Sequence, residues 1–134
     1  MKERSRLSLA AVAIAATAGC APLPSDESAA YAARMMSRGE RYVACMTKEA
    51  DTNVKNPAGA EDIAIAAHAR CYPAWDAYRA ATSASFLLGA STGAEVQLAR
   101  DKADAHLRQF ELETRRMIVD RMVERNLRRG KSDP

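Results

Sequence analysis

Aromatic residues are scarce in this 134-residue chain, making up 5% of it, although 48% of the residues are hydrophobic. Much of that apolar share is alanine, which favours helices and gives thin, closely packed cores. Six glycines and five prolines are too few for a turn-rich sandwich of short strands or for a disordered chain. The length leaves no room for a second domain. The composition therefore predicts a single all-α domain.

The chain also lacks an apolar run long enough to cross a membrane. Residues 7–18 carry no charge, and as a helix they would span about 18 Å, against a hydrocarbon core of about 30 Å. The run follows three basic residues, Lys2, Arg4 and Arg6. A basic start, a short apolar centre and small residues behind it are the layout of a signal peptide.

The apolar run ends in Thr17-Ala18-Gly19-Cys20, which resembles the lipobox of bacterial membrane lipoproteins. The resemblance covers residues 1–20 alone. It implies cleavage before Cys20, a lipid on that thiol and acylation of the new amine, so that residues 1–19 are a signal peptide and residues 20–25 a lipidated tether. Ala21, rather than aspartate, implies the periplasmic face of the outer membrane more than the inner membrane.

A second cleavage site overlaps the first. Ala16-Thr17-Ala18 matches the small-x-small pattern of the ordinary signal peptidase. Cutting there would release a secreted protein that begins at Gly19 and keeps a free thiol at Cys20. Both sites export the chain, and they differ in whether it is anchored to the membrane.

If Cys20 is acylated, Cys45 and Cys71 are the remaining cysteines. In an oxidising periplasm they are expected to form a disulfide. Their midpoint, Ala58, lies within the turn signal Asn56-Pro57-Ala58-Gly59. Antiparallel helices on either side of that turn would bring the two cysteines to the same level. The pattern therefore predicts a disulfide-linked helical hairpin followed by a long C-terminal helix.

Hydrophobic periodicity and capping signals set the expected helix bounds. Pro73 has no amide proton and is expected to kink the second helix. Thr92 and Glu95 have capping-box spacing and mark the start of the third helix, whose end past about Met122 is expected to extend beyond the domain. The predicted segments are a helical domain over 26–130, helices over about 26–53, 60–88 and 94–129, and a tail over 131–134.

Catalytic patterns are absent from the sequence. It has neither a nucleophile elbow nor a phosphate-binding glycine loop nor a haem attachment motif. We therefore expect that the protein is not an enzyme and binds no cofactor, and we nominate no catalytic residue. One alternative remains open. Free thiols at Cys45 and Cys71, with His68 on the same helical face as Cys71, would offer soft ligands for a metal or a small ligand.

Two features indicate possible partners. Tyr72, Trp75 and Tyr78 cluster beside the expected kink in an aromatic-poor chain, which suggests a patch that docks another envelope protein. Residues 115–131 hold seven basic residues against two acidic ones, which favours an envelope polyanion, and export places nucleic acid out of reach. The basic residues nominated for this contact are Arg125, Arg128 and Arg129.

The sequence thus predicts a non-enzymatic, membrane-anchored periplasmic lipoprotein. Its body would be a small helical structural or interaction module of the bacterial envelope, held to the membrane through Cys20. The alternative is a periplasmic binding protein for a metal or small ligand.

Overall fold

Four helices and the turns between them make up residues 26–130, the part of the chain that the computed structural model describes. No strand occurs within that range, and the all-α prediction is confirmed. The signal peptide, the lipidated Cys20 and the tail predicted from the sequence lie outside it. The helices are α1 (Asp26–Thr52), α2 (Ala60–Arg70), α3 (Tyr72–Leu87) and α4 (Gly93–Gly130).

Helices α2 and α3 run in one direction, and α1 and α4 run in the other. Gly39 of α1 lies against Tyr78 of α3, and Cys45 lies against Cys71, so α3 and the end of α2 run antiparallel to α1. Gly39 also approaches Phe110 of α4. Because α4 returns antiparallel to α3, it runs in the same direction as α1. The result is a bundle in which α1, α4 and the consecutive pair α2 and α3 each contact the other two.

The break between α2 and α3 falls at Cys71, within the single helix expected over 60–88. Pro73 occupies the first turn of α3, where its missing amide proton costs nothing. The Cys71 carbonyl accepts hydrogen bonds from the amides of Ala74 and Trp75, each at 3.0 Å. Helical hydrogen bonding therefore resumes at once, and one residue rather than a loop separates α2 from α3.

The predicted disulfide between Cys45 and Cys71 is confirmed. It joins the C-terminal half of α1 to the break between α2 and α3 across a Cα–Cα distance of 5.9 Å. Cys71 is buried, so this crosslink passes through the core and not over the surface.

The capping box at the start of α4 is also confirmed. The Thr92 hydroxyl accepts a hydrogen bond from the Glu95 amide at 3.2 Å, and the Glu95 carboxylate accepts one from the Thr92 amide at 2.9 Å. The amide and hydroxyl of Ser91 donate to the same carboxylate. These hydrogen bonds, first that of the Ser91 amide and then that of Thr92, lower the pKa of Glu95 to about 2.

The core lies where all four helices face one another. Small residues line much of it and let the helix backbones approach closely. None of the four helices is both long enough and apolar enough to span a bilayer, as judged over residues 26–130. The large side chains with no exposed surface are Tyr42, Met46, Ile118 and Met122.

Candidate interaction groove

The aromatic patch predicted from Tyr72, Trp75 and Tyr78 does not form on the surface, and that prediction is wrong. Trp75 and Tyr78 are 7% and 2% exposed, whereas Tyr72 is 49% exposed. A spacing of three residues turns each side chain about 60° from the previous one on a helix. Tyr72 therefore faces solvent while Trp75 and Tyr78 turn into the core.

Trp75 and Tyr78 belong instead to a continuous internal cluster of rings. The Trp75 ring lies 5.1 Å from that of Tyr42 and 5.8 Å from that of Tyr78, measured between centroids. Tyr78 packs 4.4 Å from Phe110 of α4. Four of the seven aromatic residues of the chain are thus gathered where three helices meet, and their packing contributes to stability.

Each of the two histidines in the sequence pairs with a buried tyrosine. The Tyr42 hydroxyl lies 2.7 Å from His68 Nδ1, and the Tyr78 hydroxyl lies 2.8 Å from His106 Nε2. Burial raises the pKa of Tyr42 to about 12, with the nearby Glu111 carboxylate adding to the effect, and burial also raises the pKa of Tyr78. Both phenols therefore stay protonated at neutral pH. Each histidine lies on a different helix from its tyrosine, so residue spacing within one helix could not predict these pairs.

The three residues considered as metal ligands have other partners. Cys45 and Cys71 share a disulfide, and His68 is hydrogen-bonded to Tyr42. Across residues 26–130, no group of three or more histidine, cysteine, aspartate or glutamate side chains is placed to hold a metal ion. In this oxidised form the two sulfurs offer no thiolate.

An apolar groove of about 540 Å³ opens between α1 and α4. Tyr78 of α3 and Phe110 of α4 line it, and Gly39 of α1 lies against both of their rings. Sequence analysis did not predict this groove, because it depends on how far α1 and α4 stand apart. The remaining lining residues are Met35, Met36, Glu40, Val43, Ala44 and His106.

Gly39 brings the backbone of α1 close to the aromatic rings. A Cβ atom at this position would lie 3.1 Å from Tyr78 Cε2 and 3.3 Å from Phe110 Cζ. Any larger residue would push the rings away from α1 and alter the lining of the groove. The available sequence signal for a close approach was a glycine inside the first predicted helix.

The groove wall on α1 is adaptable. Met36 is 60% exposed, and Met35 packs against the edge of the core. Methionine is unbranched and polarisable, so it adjusts to apolar partners of different shape. Glu40 also contributes to this wall. The arrangement suits an apolar side chain, or the apolar face of a helix, and it carries no grouping that suggests bond-breaking chemistry.

A cluster of charges joins α1 to α4 beyond the groove. Arg121 donates two hydrogen bonds to the carboxylate of Asp51, both at 3.0 Å, and Arg125 lies 2.7 Å from the same carboxylate. These contacts, with the Arg121 hydrogen bond first, hold the pKa of Asp51 below its usual value. We call these three residues the Asp51 cluster.

The other two nominated arginines also contact the chain itself. Arg128 pairs with Glu124, and Arg129 donates to the Val54 carbonyl at 3.3 Å. Past Met122 no residue of α4 is buried, and Arg125 and Arg129 reach back to Asp51 and to the Val54 carbonyl. Contact between this region and an envelope polyanion stays a prediction.

These features define a small, all-α, disulfide-linked bundle with an apolar groove between its first and last helices. No protein-family model matches the chain, and neither a curated protein nor a solved structure matches it. The groove and the exported N-terminus predicted from the sequence are therefore the features from which a function is inferred.

Proposed function

We propose that this protein is a membrane-anchored lipoprotein of the bacterial envelope that binds another envelope protein and catalyses no reaction. The anchor is the lipidated Cys20. The body is the disulfide-linked hairpin of α1 with α2 and α3, kinked at Pro73, together with α4. The tether from Cys20 to the start of α1 is short, on the order of 20 Å when fully extended, so the protein works close to the bilayer.

The observation that supports binding is the apolar groove. Methionine, valine and aromatic side chains line it, and Met36 is exposed at its wall. An amphipathic helix presents apolar side chains three and four residues apart, and such a helix fits a groove between two other helices. We therefore infer that the partner contributes the apolar face of a helix.

The groove is tested with Met36→Lys, which places a charge on its wall. Co-purification from detergent extracts of membranes should lose the partner, because a desolvated ammonium group opposes apolar contact. Ile65→Lys is the matched control, since Ile65 is comparably exposed but lies on α2. Equal recovery of the same partner with both variants would eliminate the groove as the binding site.

The anchor is tested by the mass of the mature N-terminal peptide. A peptide that begins at Cys20 and carries diacylglycerol supports the lipoprotein. One that begins at Gly19 with an unmodified thiol at Cys20 would instead show a secreted protein. An intact Met1 would contradict export altogether.

A further inference from the structure

The turn between α3 and α4 is apolar and carries no charged residue. Residues 80–94, which include the end of α3, the turn and the start of α4, are 15 residues without a charge, the longest such stretch after Cys20. Phe86, Leu87 and Leu88 lead into the turn and are half-buried. Connecting segments run over the protein surface and are usually built from polar residues. Reversal of the chain therefore does not by itself account for these side chains.

A side chain of α4 extends the apolar surface of this turn. Leu98 is 53% exposed, and it lines a depression of about 360 Å³ together with Phe86 and Ala90. Glu95 and Lys102 are the charged residues that line the same depression. Adjoining apolar side chains at a surface commonly mark contact with another molecule or with a membrane. We call the following residues the apolar tip: Phe86, Leu87, Leu88, Ala90 and Leu98.

The opposite end of the bundle is polar. The turn between α1 and α2 contains Asn53, Lys55 and Asn56. The last turns of α4 also reach this end, where Arg129 donates a hydrogen bond to the Val54 carbonyl. The two ends of the bundle therefore differ in chemistry, since one turn is apolar and the other is polar and charged.

The apolar tip lies at the end of the bundle that carries the proposed anchor. Gly39 of α1 is level with Tyr78 of α3. From that level α1 extends about 20 Å back to Asp26, and α3, which is antiparallel to α1, extends about 14 Å in the same direction to Leu87. Cys20 precedes Asp26 by six residues. The proposed lipid and the apolar tip therefore belong to the same end.

We propose that the apolar tip rests in the interfacial layer of the bilayer that holds the lipid of Cys20. This contact depends on the anchor proposed above, because a tether on the order of 20 Å keeps the tip close to the membrane surface. Transfer of apolar side chains from water into that layer is favourable and adds to the binding provided by the lipid. The end of α4 and the Asp51 cluster then point away from the membrane.

Three carboxylates limit the depth of this contact. Asp26 and Glu27 lie in the first turn of α1, and the Glu95 carboxylate accepts hydrogen bonds from the amides of Ser91 and Thr92 at the base of the apolar tip. Charged groups are costly to place in hydrocarbon, so these carboxylates stay among the headgroups or in water. The tip therefore contacts the interface with its side chains and does not insert deeply.

Fluorescence quenching of the mature lipoprotein in vesicles of phosphatidylethanolamine and phosphatidylglycerol tests the contact. An introduced cysteine is the single free thiol of the lipidated, oxidised protein, because Cys45 is paired with Cys71. Ala90→Cys in the apolar tip and Ala58→Cys in the α1–α2 turn each receive a nitrobenzoxadiazole label. Part of the phospholipid carries a nitroxide near the top of its acyl chain and quenches a label that contacts the interface.

Quenching should be about threefold or more stronger at position 90 than at position 58, because α1 separates the two turns by about 40 Å. The emission at position 90 should also shift to the blue. Adding Leu88→Glu should reduce quenching at position 90 to the level seen at position 58, since a carboxylate opposes insertion. The helical circular dichroism should not change, because Leu88 lies past the end of α3. Ile65→Glu, at an exposed position of α2, is the control and should leave the quenching unchanged.

Flotation of the vesicles separates failure of the anchor from failure of this contact. Protein that does not float with the vesicles would overturn the anchor, and the contact with it. Floating protein with equal quenching at positions 58 and 90 would overturn the contact alone, and stronger quenching at position 58 would show the opposite orientation of the bundle. A blue shift at position 90 without quenching would mean that protein, rather than the bilayer, covers the apolar tip.

Discussion

At the scale of single residues, the packing of Tyr78 depends on what surrounds its ring. The ring contacts Phe110, approaches the backbone at Gly39 and directs its hydroxyl to His106. Because these contacts come from two helices, the ring has little freedom to move. A change at any one of them is expected to affect the shape of the groove.

Replacing Gly39 by alanine sets two effects against each other. Alanine gains about 1 kcal/mol in helix propensity, but its methyl group would lie 3.1 Å and 3.3 Å from two rings, and such overpacking typically costs about 1–3 kcal/mol. Since Tyr78 is held on several sides, we expect a net loss of about 1 kcal/mol in the free energy of unfolding, measured by urea denaturation.

Gly93→Ala is the control, because a Cβ there would meet nothing within 4 Å. It should leave the stability unchanged or slightly raised. A Gly39→Ala variant that gains as much as this control would show that the rings yield easily to the added methyl group.

At the scale of helices, the break at Cys71 places the disulfide between two consecutive helices. The crosslink closes a loop with a sequence separation of 26 between Cys45 and Cys71. It also fixes α1 to both α2 and α3, because its second cysteine lies between them. One covalent bond thus restrains three helices.

Replacing both Cys45 and Cys71 by serine should lower the free energy of unfolding by about 3.5 kcal/mol on the chain-entropy account. Urea denaturation of the variant and of the unreduced parent measures the difference. Parent protein treated with reductant should lose a similar amount. A loss below about 1 kcal/mol would show that the unfolded chain retains enough structure to keep the two segments together without the bond.

Patterns local to one segment predicted the helices well. Capping-box spacing located the start of α4 at Thr92, and the symmetric position of two cysteines about a turn predicted their pairing. The burial of Trp75 and Tyr78 could not be predicted in the same way. Each side chain is mostly apolar and has one polar group, so it is compatible with the core and with the surface. The Asp51 cluster joins residues about 70 positions apart, and periodicity within one helix carries no information about such contacts.

At the scale of the whole molecule, the Asp51 cluster is a polar connection between the first and last helices. Asp51→Asn keeps the shape of the side chain and removes its charge. The side chains of Asp51, Arg121 and Arg125 are each about a third or more exposed, so solvent screens the attraction between the carboxylate and the two guanidinium groups. We therefore expect a loss of about 0.5–1 kcal/mol in the free energy of unfolding.

Thermal unfolding at low and high salt measures this effect. The difference between Asp51→Asn and the parent should shrink as salt rises. Asp76→Asn, which removes an exposed pair within α3, is the matched control and should have a smaller effect. Equal effects of the two substitutions would mean that an ion pair between α1 and α4 stabilises the fold no more than an exposed ion pair within one helix.

Acid should destabilise the whole domain through two carboxylates. Folding lowers the pKa of Glu95 from 4.5 to about 2 and that of Asp51 from 3.8. The unfolded chain therefore binds protons more readily than the folded one as the pH falls. Their contribution is fully present above about pH 5 and is lost progressively as the pH falls through the folded values.

Thermal midpoints measured between pH 6 and pH 2 follow this loss. Glu95→Gln and Asp51→Asn should each flatten the curve, and the double variant should flatten it further, because the two sites lie at different places in the fold. Parallel curves for the parent and the double variant would assign the acid sensitivity to other groups.

The groove and the Asp51 cluster lie at different positions along α1. Residues 35–44 of α1 lie about 14–27 Å from its first residue, and Asp51 lies about 38 Å from it. If Cys20 carries a lipid, the first residue of α1 is the end of the helix nearest to the membrane anchor along the chain. A partner bound in the groove would therefore lie nearer to the anchored end of α1 than Arg121 and Arg125 do. Lengthening the tether would change how far from the membrane this partner can be bound and would leave its affinity for the groove unchanged.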